Sequence, residues 1–355
     1  MLLDLIGLIS FVALVLYLIF GGADYGAGIL ELFRFHNNVR DEQEHLISKA
    51  MGPVWEANHI WFILLIVILF NGFPAMYVTI TNALHIPLVA ILLGIVVRGV
   101  AFTYRHYDTS HKLDRYYTWA FALSSLWTSL WLGIAAGGAV LGRIDPLATD
   151  AYAAYVTPWD NPFAFSVGIF IATLFAFLAS AFLIGEAESE RMKKFFSRRA
   201  LASNLASIAA GALVFLTAHW ENYPLAREFA SNRYSMLMMF VASGLSWLFV
   251  LFRLKRSATR ILTAGIVTSV LLGFYFLHAP AIIATKQGYL TFANTAAPDA
   301  SLKQLLIALV VGLILIVPSL GLLIWIFKFR KQAMPTLQAP PTSTRSTVFA
   351  PEGLE

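Results

Sequence analysis

Nine apolar runs of about 18–25 residues recur along this chain, each long enough to cross a hydrocarbon core of roughly 30 Å as a helix. They lie near 3–23, 53–72, 78–102, 117–141, 163–185, 200–219, 235–252, 260–280 and 304–328. A lipid-exposed segment has no water to satisfy its peptide groups, so each run must close its hydrogen bonds internally as a helix. Proline supports several boundaries. Pro53 opens the second run, where a first-turn proline loses no intrahelical bond. Phe73-Pro74 closes that run, and Asn161-Pro162 opens the fifth. Composition agrees with the count. Only 13% of the 355 residues are charged and 59% are hydrophobic, whereas a soluble domain carries roughly 25% charged residues.

The connecting segments test this number independently, because cytoplasmic loops carry an excess of Lys and Arg. Segments after runs one, three, five, seven and nine, taken with Arg98, Arg260 and Lys328 at the edges of the adjoining runs, hold 20 of the 25 basic residues. The others hold only Arg143, Arg227, Arg233, Lys286 and Lys303. This alternation favours an odd number of spans, a periplasmic N-terminus and a cytoplasmic C-terminus, in the cytoplasmic (inner) membrane of a bacterium or archaeon. The expected fold is an all-α integral membrane protein with nine transmembrane helices. Residues 1–330 form one membrane domain, arranged as two four-helix bundles plus one additional helix, with no internal repeat. Residues 331–355, rich in Pro, Thr, Ser and Ala, read as a flexible cytoplasmic tail that cannot bury enough apolar surface to order itself. The first run lacks a basic leader and passes into Gly21-Gly22-Ala23-Asp24, so it reads as a retained span.

Several functions are excluded at this point. The net charge of +5 is split into short loop clusters rather than gathered into a stripe, so nucleic acid is not an expected partner. With no cysteine, the chain cannot build a disulfide, a zinc–thiolate site or an iron–sulfur cluster.

Ionisable side chains within a span cost about 2.5–3.5 kcal/mol each on insertion scales, and so point to function. Asp24 and Glu31, seven residues apart, share one helix face at the inner end of span one. Glu56 and His59 share a face at the start of span two, and Arg98 closes span three. Together they suit a proton path or a buried ion-pair network. The plainer reading makes Glu31 and Arg98 interfacial, snorkelling to headgroups. Gly22, Gly26 and Gly28, interleaved with alanine, would let span one approach a neighbouring backbone closely. His59, His85 and His278 fall within or near spans, where a haem could find an axial ligand, although a loop or core role suits any single histidine better. The 28 Phe, 13 Tyr and 9 Trp read as lipid-facing belts, weak support for a quinone site.

The segment Gly52-Pro53-Val54-Trp55-Glu56-Ala57-Asn58-His59-Ile60-Trp61 resembles the G-P-x-W-[D/E]-G-N-x-x-W motif of subunit II of cytochrome bd-type quinol oxidases. Gly22-Ala23-Asp24-Tyr25-Gly26-Ala27-Gly28 is similar to that family's G-F-D-x-G-x-G. Phe73-Pro74, and Arg98 with Tyr104-Arg105, follow in the family's order. More loosely, Asn161-Pro162-Phe163 and the stretch Leu290–Ala296 before a last helix containing Pro318 agree as well.

The resemblance implies a heterodimer in which haem-bearing subunit I carries two b-type haems, haem d and the quinol site, and the complex reduces O₂ to water. This chain would be a scaffold and proton-path subunit with Asp24 and Glu56 as proton carriers, His59 assisting and Arg98 as their charge partner. Gly22, Gly26, Gly28, Pro53, Trp55, Asn58 and Trp61 would be structural motif residues. The family leaves room for a small single-helix subunit and for a bound quinone or lipid. No metal ligands, and no haem, are expected in this chain. The chain departs from the pattern at Gly21, where many members carry a second acid. It departs again at Glu56 for the usual Asp, at Ala57 for Gly, and at His59 for Glu or Gln. These departures question a proton route through the missing acid, and admit His59 as a new carrier or ligand. They also leave open a donor other than ubiquinol. A proton- or ion-coupled secondary transporter is the alternative from another class, suggested by buried acids and a glycine-broken first span. It lacks the repeated broken helices that transporters show in corresponding halves. A purely structural subunit is the third reading.

Overall fold

The structure is a computed structural model that describes residues 2–33, 37–52, 55–107, 113–251 and 256–328. The expected tail at 331–355 lies outside the described residues, as does Pro53. Helices dominate. Among the described residues, eight are long and apolar enough to cross a membrane, or nine if one sharply bent pair counts as a span.

The first span is α1 (Leu2–Leu16), a π-helical turn (Tyr17–Gly21) and α2 (Gly22–Leu32), which run on as one 31-residue helix. The glycines therefore do not break this span, which removes one of the two features that suggested a transporter. The helix also extends well past residue 23. The next helix, α3 (Asn37–Met51), packs Leu46, Ile47 and Met51 against Ile29 and Leu30.

The break falls in the second span instead. A short α4 (Trp55–Asn58) leads through His59 into α5 (Ile60–Gly72), and α6 (Pro74–Ala83) leaves it at 118°. Proline is the cause, since its ring excludes the α conformation for the residue before it. Phe73 is accordingly non-helical, at φ −139° and ψ 60°. Leu84 then separates α6 from α7 (His85–Tyr107), so the third span begins at residue 85 rather than 78.

The remaining long helices are α8 (Asp114–Val140), α10 (Pro162–Glu186), α11 (Glu190–Trp220), α13 (Arg233–Leu251), α14 (Arg256–His278) and α15 (Asp299–Lys328). Short helices α9 (Ala151–Tyr155) and α12 (Leu225–Ser231) lie in the connections. Asn161 and Ser189 cap α10 and α11 by accepting from Ala164 N–H and Met192 N–H. At the centre stands α10, packed on α2, α8, α11 and α14. Its small residues make this possible: Gly168 meets the backbone of α8 at Leu130, and Gly133 of α8 meets Gly168 in return. Such backbone-to-backbone contacts replace the hydrophobic drive that lipid does not supply.

One element departs from an all-α chain. Residues Ala281–Thr285 (β1) and Gly288–Thr291 (β2) form an antiparallel hairpin closed at Lys286-Gln287. Ile283 joins Ile6, Ile68, Phe73 and Met76 in an apolar cluster, and Phe292 stacks on Phe73 at 4.5 Å. The hairpin thus covers the end of the bundle where α5 bends into α6. It is pinned by Asp145, which accepts from Gln287 Nε2 at 2.7 Å and Lys286 Nζ at 3.2 Å.

The hydrogen bond from Gln287, then those from the Leu147 amide and Lys286, hold the Asp145 carboxyl below its usual pKa. A depressed pKa makes its contribution fully present above the unfolded value of about 3.9 and lost as pH falls through the lower folded value. Asp145→Ala is therefore expected to speed amide hydrogen exchange in the hairpin at neutral pH. Below the depressed pKa, the variant and the parent should exchange alike.

A buried acid–arginine ladder between spans one and three

Asp24 and Glu31 on α2 are seven residues apart, and so are Arg98 and Arg105 on α7. The two helices present these residues to each other as a ladder whose rungs are about 10.5 Å apart along the axis. In the first rung, Arg98 Nη2 donates to Asp24 Oδ1 at 2.5 Å and to the Asp24 carbonyl at 3.3 Å. Both side chains are buried. Arg98 Nε donates to Ser125 Oγ at 3.0 Å, and Ser125 in turn donates to the Phe121 carbonyl at 2.6 Å. The guanidinium also lies 4.7 Å from the Phe121 ring centroid and 5.1 Å from that of Tyr25. Cation–π contact of this kind strengthens where water is excluded.

The second rung is bidentate. Arg105 Nη1 donates to both carboxylate oxygens of Glu31 at 3.1 Å, and its Nη2 donates to Ser48 Oγ at 2.9 Å. Glu44 of α3 lies 3.7 Å from the same guanidinium and accepts from Thr118 Oγ1 at 3.1 Å. Gln43 of α3 donates to the Leu30 carbonyl, which also accepts from the Phe33 N–H at the end of α2. α3 therefore closes over the outer rung with polar side chains.

Glycine lets the ladder form. A Cβ on Gly22 would lie 2.6 Å from the Phe175 ring, and one on Gly26 would overlap the Phe175 carbonyl of α10. A Cβ on Gly28 would overlap Ser125 Oγ, the atom that holds Arg98. α2 is thus seated between α8 and α10 at backbone contact.

The start of the second span, with Asn58, His59 and Trp61, packs against span one beside Tyr25. Asn58 Nδ2 donates to the Phe20 carbonyl in the π turn at 3.4 Å, tying α4 to span one. Trp61 is buried beside Tyr17, Tyr25 and Phe175. His59 sets its ring edge-on to Tyr25 at 6.1 Å, so one tyrosine faces both His59 and Arg98. Trp55 packs on Phe102 at 5.4 Å. The Glu56 backbone lies in α4, but its side chain is outside the described residues.

Glu31 and Arg98 do not extend outward from the bundle. Both are buried and ion-paired, because the cost of a lone charge in lipid is removed by pairing rather than by reaching headgroups. Sequence reasoning missed Arg105 as the partner of Glu31, although the repeated seven-residue spacing carried that signal. It also missed Ser125 and the tyrosines Tyr17 and Tyr25, which nothing in the motif singles out.

The histidines bear on a haem site. His278 engages the Tyr223 hydroxyl through Nε2 at 2.8 Å and the Phe274 carbonyl through Nδ1 at 2.9 Å. A carbonyl only accepts, so Nδ1 donates there, and the ring is held between the two partners. His85 engages the Asn82 carbonyl and sits edge-on to Tyr155. Among the described residues, no group of three His, Cys, Asp or Glu side chains is placed to hold a metal ion.

Known proteins share this architecture. The sequence profile of the family described as cytochrome bd terminal oxidase subunit II matches residues 2–327. A protein named cytochrome bd ubiquinol oxidase subunit 2, from Bacillus subtilis (strain 168), is 29% identical over 154 residues. That alignment covers 43% of this chain and spans only 44% of the relative's length. The solved bd oxidase from Geobacillus thermodenitrificans includes a chain that superposes with a TM-score of 0.70, covering 93% of this chain and 99% of that one. At 21% identity, this is a likeness of fold. With the profile matched from the first span to the last, the chain is a multi-pass membrane protein that belongs to the cytochrome bd terminal oxidase subunit II family.

Proposed function

We propose that the chain is the second subunit of a bd-type quinol oxidase, a scaffold and proton-path subunit beside a haem-bearing subunit I. Family membership supports the assembly. The observation that supports the proton path is the first rung, where Asp24 Oδ1 is held by Arg98 while Oδ2 has no hydrogen-bond partner among the described residues. Reduction of O₂ to water consumes four protons per molecule, and a membrane-embedded bundle passes protons through ionisable or hydroxylic side chains and bound water. The ladder offers such groups at two depths, with Glu31, Glu44, Ser48 and Thr118 toward the basic loops. The charge alternation of those loops supports a cytoplasmic entry, a periplasmic N-terminus and a cytoplasmic C-terminus in the inner membrane. Asp24 would then carry the proton inward, with His59 and Glu56 assisting.

Haem b and haem d belong to the partner in this reading and would supply the electron transfer and O₂ chemistry when bound there. This chain's residues shape the proton side alone. Quinol and O₂ act at the level of the complex, and the apolar outer faces suit lipid, a bound quinone or a small single-helix subunit.

Asp24→Asn tests the assignment. The amide still accepts from Arg98, which also keeps Ser125, the Asp24 carbonyl and its two aromatic faces. Quinol-driven O₂ consumption by the purified complex should fall about a hundredfold, within the range of a lost general acid–base group, with haem content unchanged. Asp24→Glu should recover part of the rate. Full turnover in Asp24→Asn would refute the proton path, and purification of the native chain without a haem-bearing partner would refute the assembly.

A further inference from the structure

Tyr17 and Tyr25 are buried in the same cluster, and their hydroxyls lie 3.2 Å apart. Eight residues along an α-helix turn through about 800°, which would leave the two side chains about 80° apart around the axis. The π turn at Tyr17–Gly21 accommodates one extra residue between them and brings them onto one face. Gly21 completes the arrangement, since its Cβ position lies only 3.0 Å from the Tyr17 ring. A side chain there would push the phenol away from its partner.

Donor accounting leaves a remainder. Two hydroxyls carry two hydrogens, and the bond between them uses one. The second has no acceptor among the described residues, just as Asp24 Oδ2 has no donor. Buried polar groups left over in this way are normally satisfied by ordered water. Arg98, which holds Asp24 Oδ1, lies 5.1 Å from the Tyr25 ring centroid, so both remainders fall in the surroundings of one guanidinium.

We propose that Tyr17 and Tyr25 are proton-relay residues, joined to the free oxygen of Asp24 by a bound water, and carry the proton from the ladder toward the middle of the membrane. The inference rests on the proton-path reading of Asp24. In the transfer, the water takes the proton from Asp24 Oδ2 and gives one of its own to the first phenol oxygen. That phenol passes its hydroxyl proton to the second, which releases one onward. Every O–H bond broken is matched by one formed, and no electrons move. Rotation of the hydroxyls resets the chain.

The test uses the whole complex in lipid nanodiscs with a short-tailed benzoquinol as donor, measured in H₂O and in D₂O. Tyr17→Phe and Tyr25→Phe keep the rings and remove the hydroxyls. Each should lower turnover about tenfold and raise the solvent isotope ratio, with haem absorbance and Tm unchanged. The double variant should be no slower than the slower single one, because both act in one path. Wild-type turnover and isotope ratio in all three, with Asp24→Asn slow, would reduce the phenols to packing and leave the Asp24 reading standing. Slow turnover with an unchanged isotope ratio and a lowered Tm would also overturn the relay. Full turnover in Asp24→Asn would remove both proposals together.

Discussion

Arg98→Met is expected to abolish assembly of the complex, while the double variant Asp24→Asn/Arg98→Met restores assembly without restoring turnover. The single change removes the guanidinium that holds Asp24 Oδ1 and strands a buried carboxylate beside Phe121 and Tyr25. Removing one partner of a buried ion pair typically costs about 3–5 kcal/mol, most of it the uncompensated charge left behind. That is a large share of the roughly 5–15 kcal/mol by which a folded domain is stable. Replacing both partners leaves no charge to compensate and approximately preserves volume. The yield of haem-containing complex and its Tm are the measurements. Equal loss in the single and double variants would show that the shape of Arg98, rather than its charge, holds the helices.

Gly26→Ala should be nearly as damaging. The added methyl would overlap the Phe175 carbonyl and sit 2.8 Å from Ala179 Cβ. The obstacle is backbone, so α2 and α10 must separate. Overpacking usually costs about 1–3 kcal/mol, and here separation also loosens the seat of Asp24. Gly244→Ala and Gly312→Ala are the controls, as nothing lies within 4 Å of either Cβ position. A Gly26→Ala complex with native yield and Tm would mean that α2 does not need its close seat on α10.

Much of this arrangement was legible before any coordinates. Lengths of apolar runs locate the spans because lipid thickness imposes them. Glycine and aspartate in span one, with arginine in span three, mark a charge that must be paired. Three features were hidden for physical reasons. Arg105 looked like an ordinary cytoplasmic loop charge, and only its register with Glu31 makes it a partner. The bend at Phe73-Pro74 has a local cause in proline, but its 118° angle and the hairpin cluster packed beside it do not follow from hydropathy. The tyrosine pair depends on one extra residue in a helical turn, which shifts periodicity without changing composition.

The ladder also has a temporal side. Asp24 and Arg98 are 74 residues apart in the chain, as are Glu31 and Arg105. At a synthesis rate of about 5–20 residues per second, the arginines emerge about 4–15 s after their acids. The first span is therefore made with two acids whose counter-ions do not yet exist. During that interval the ladder is incomplete, and both rungs close only when the third span arrives. Lengthening the intervening segment should prolong the period in which the nascent chain depends on the insertion machinery.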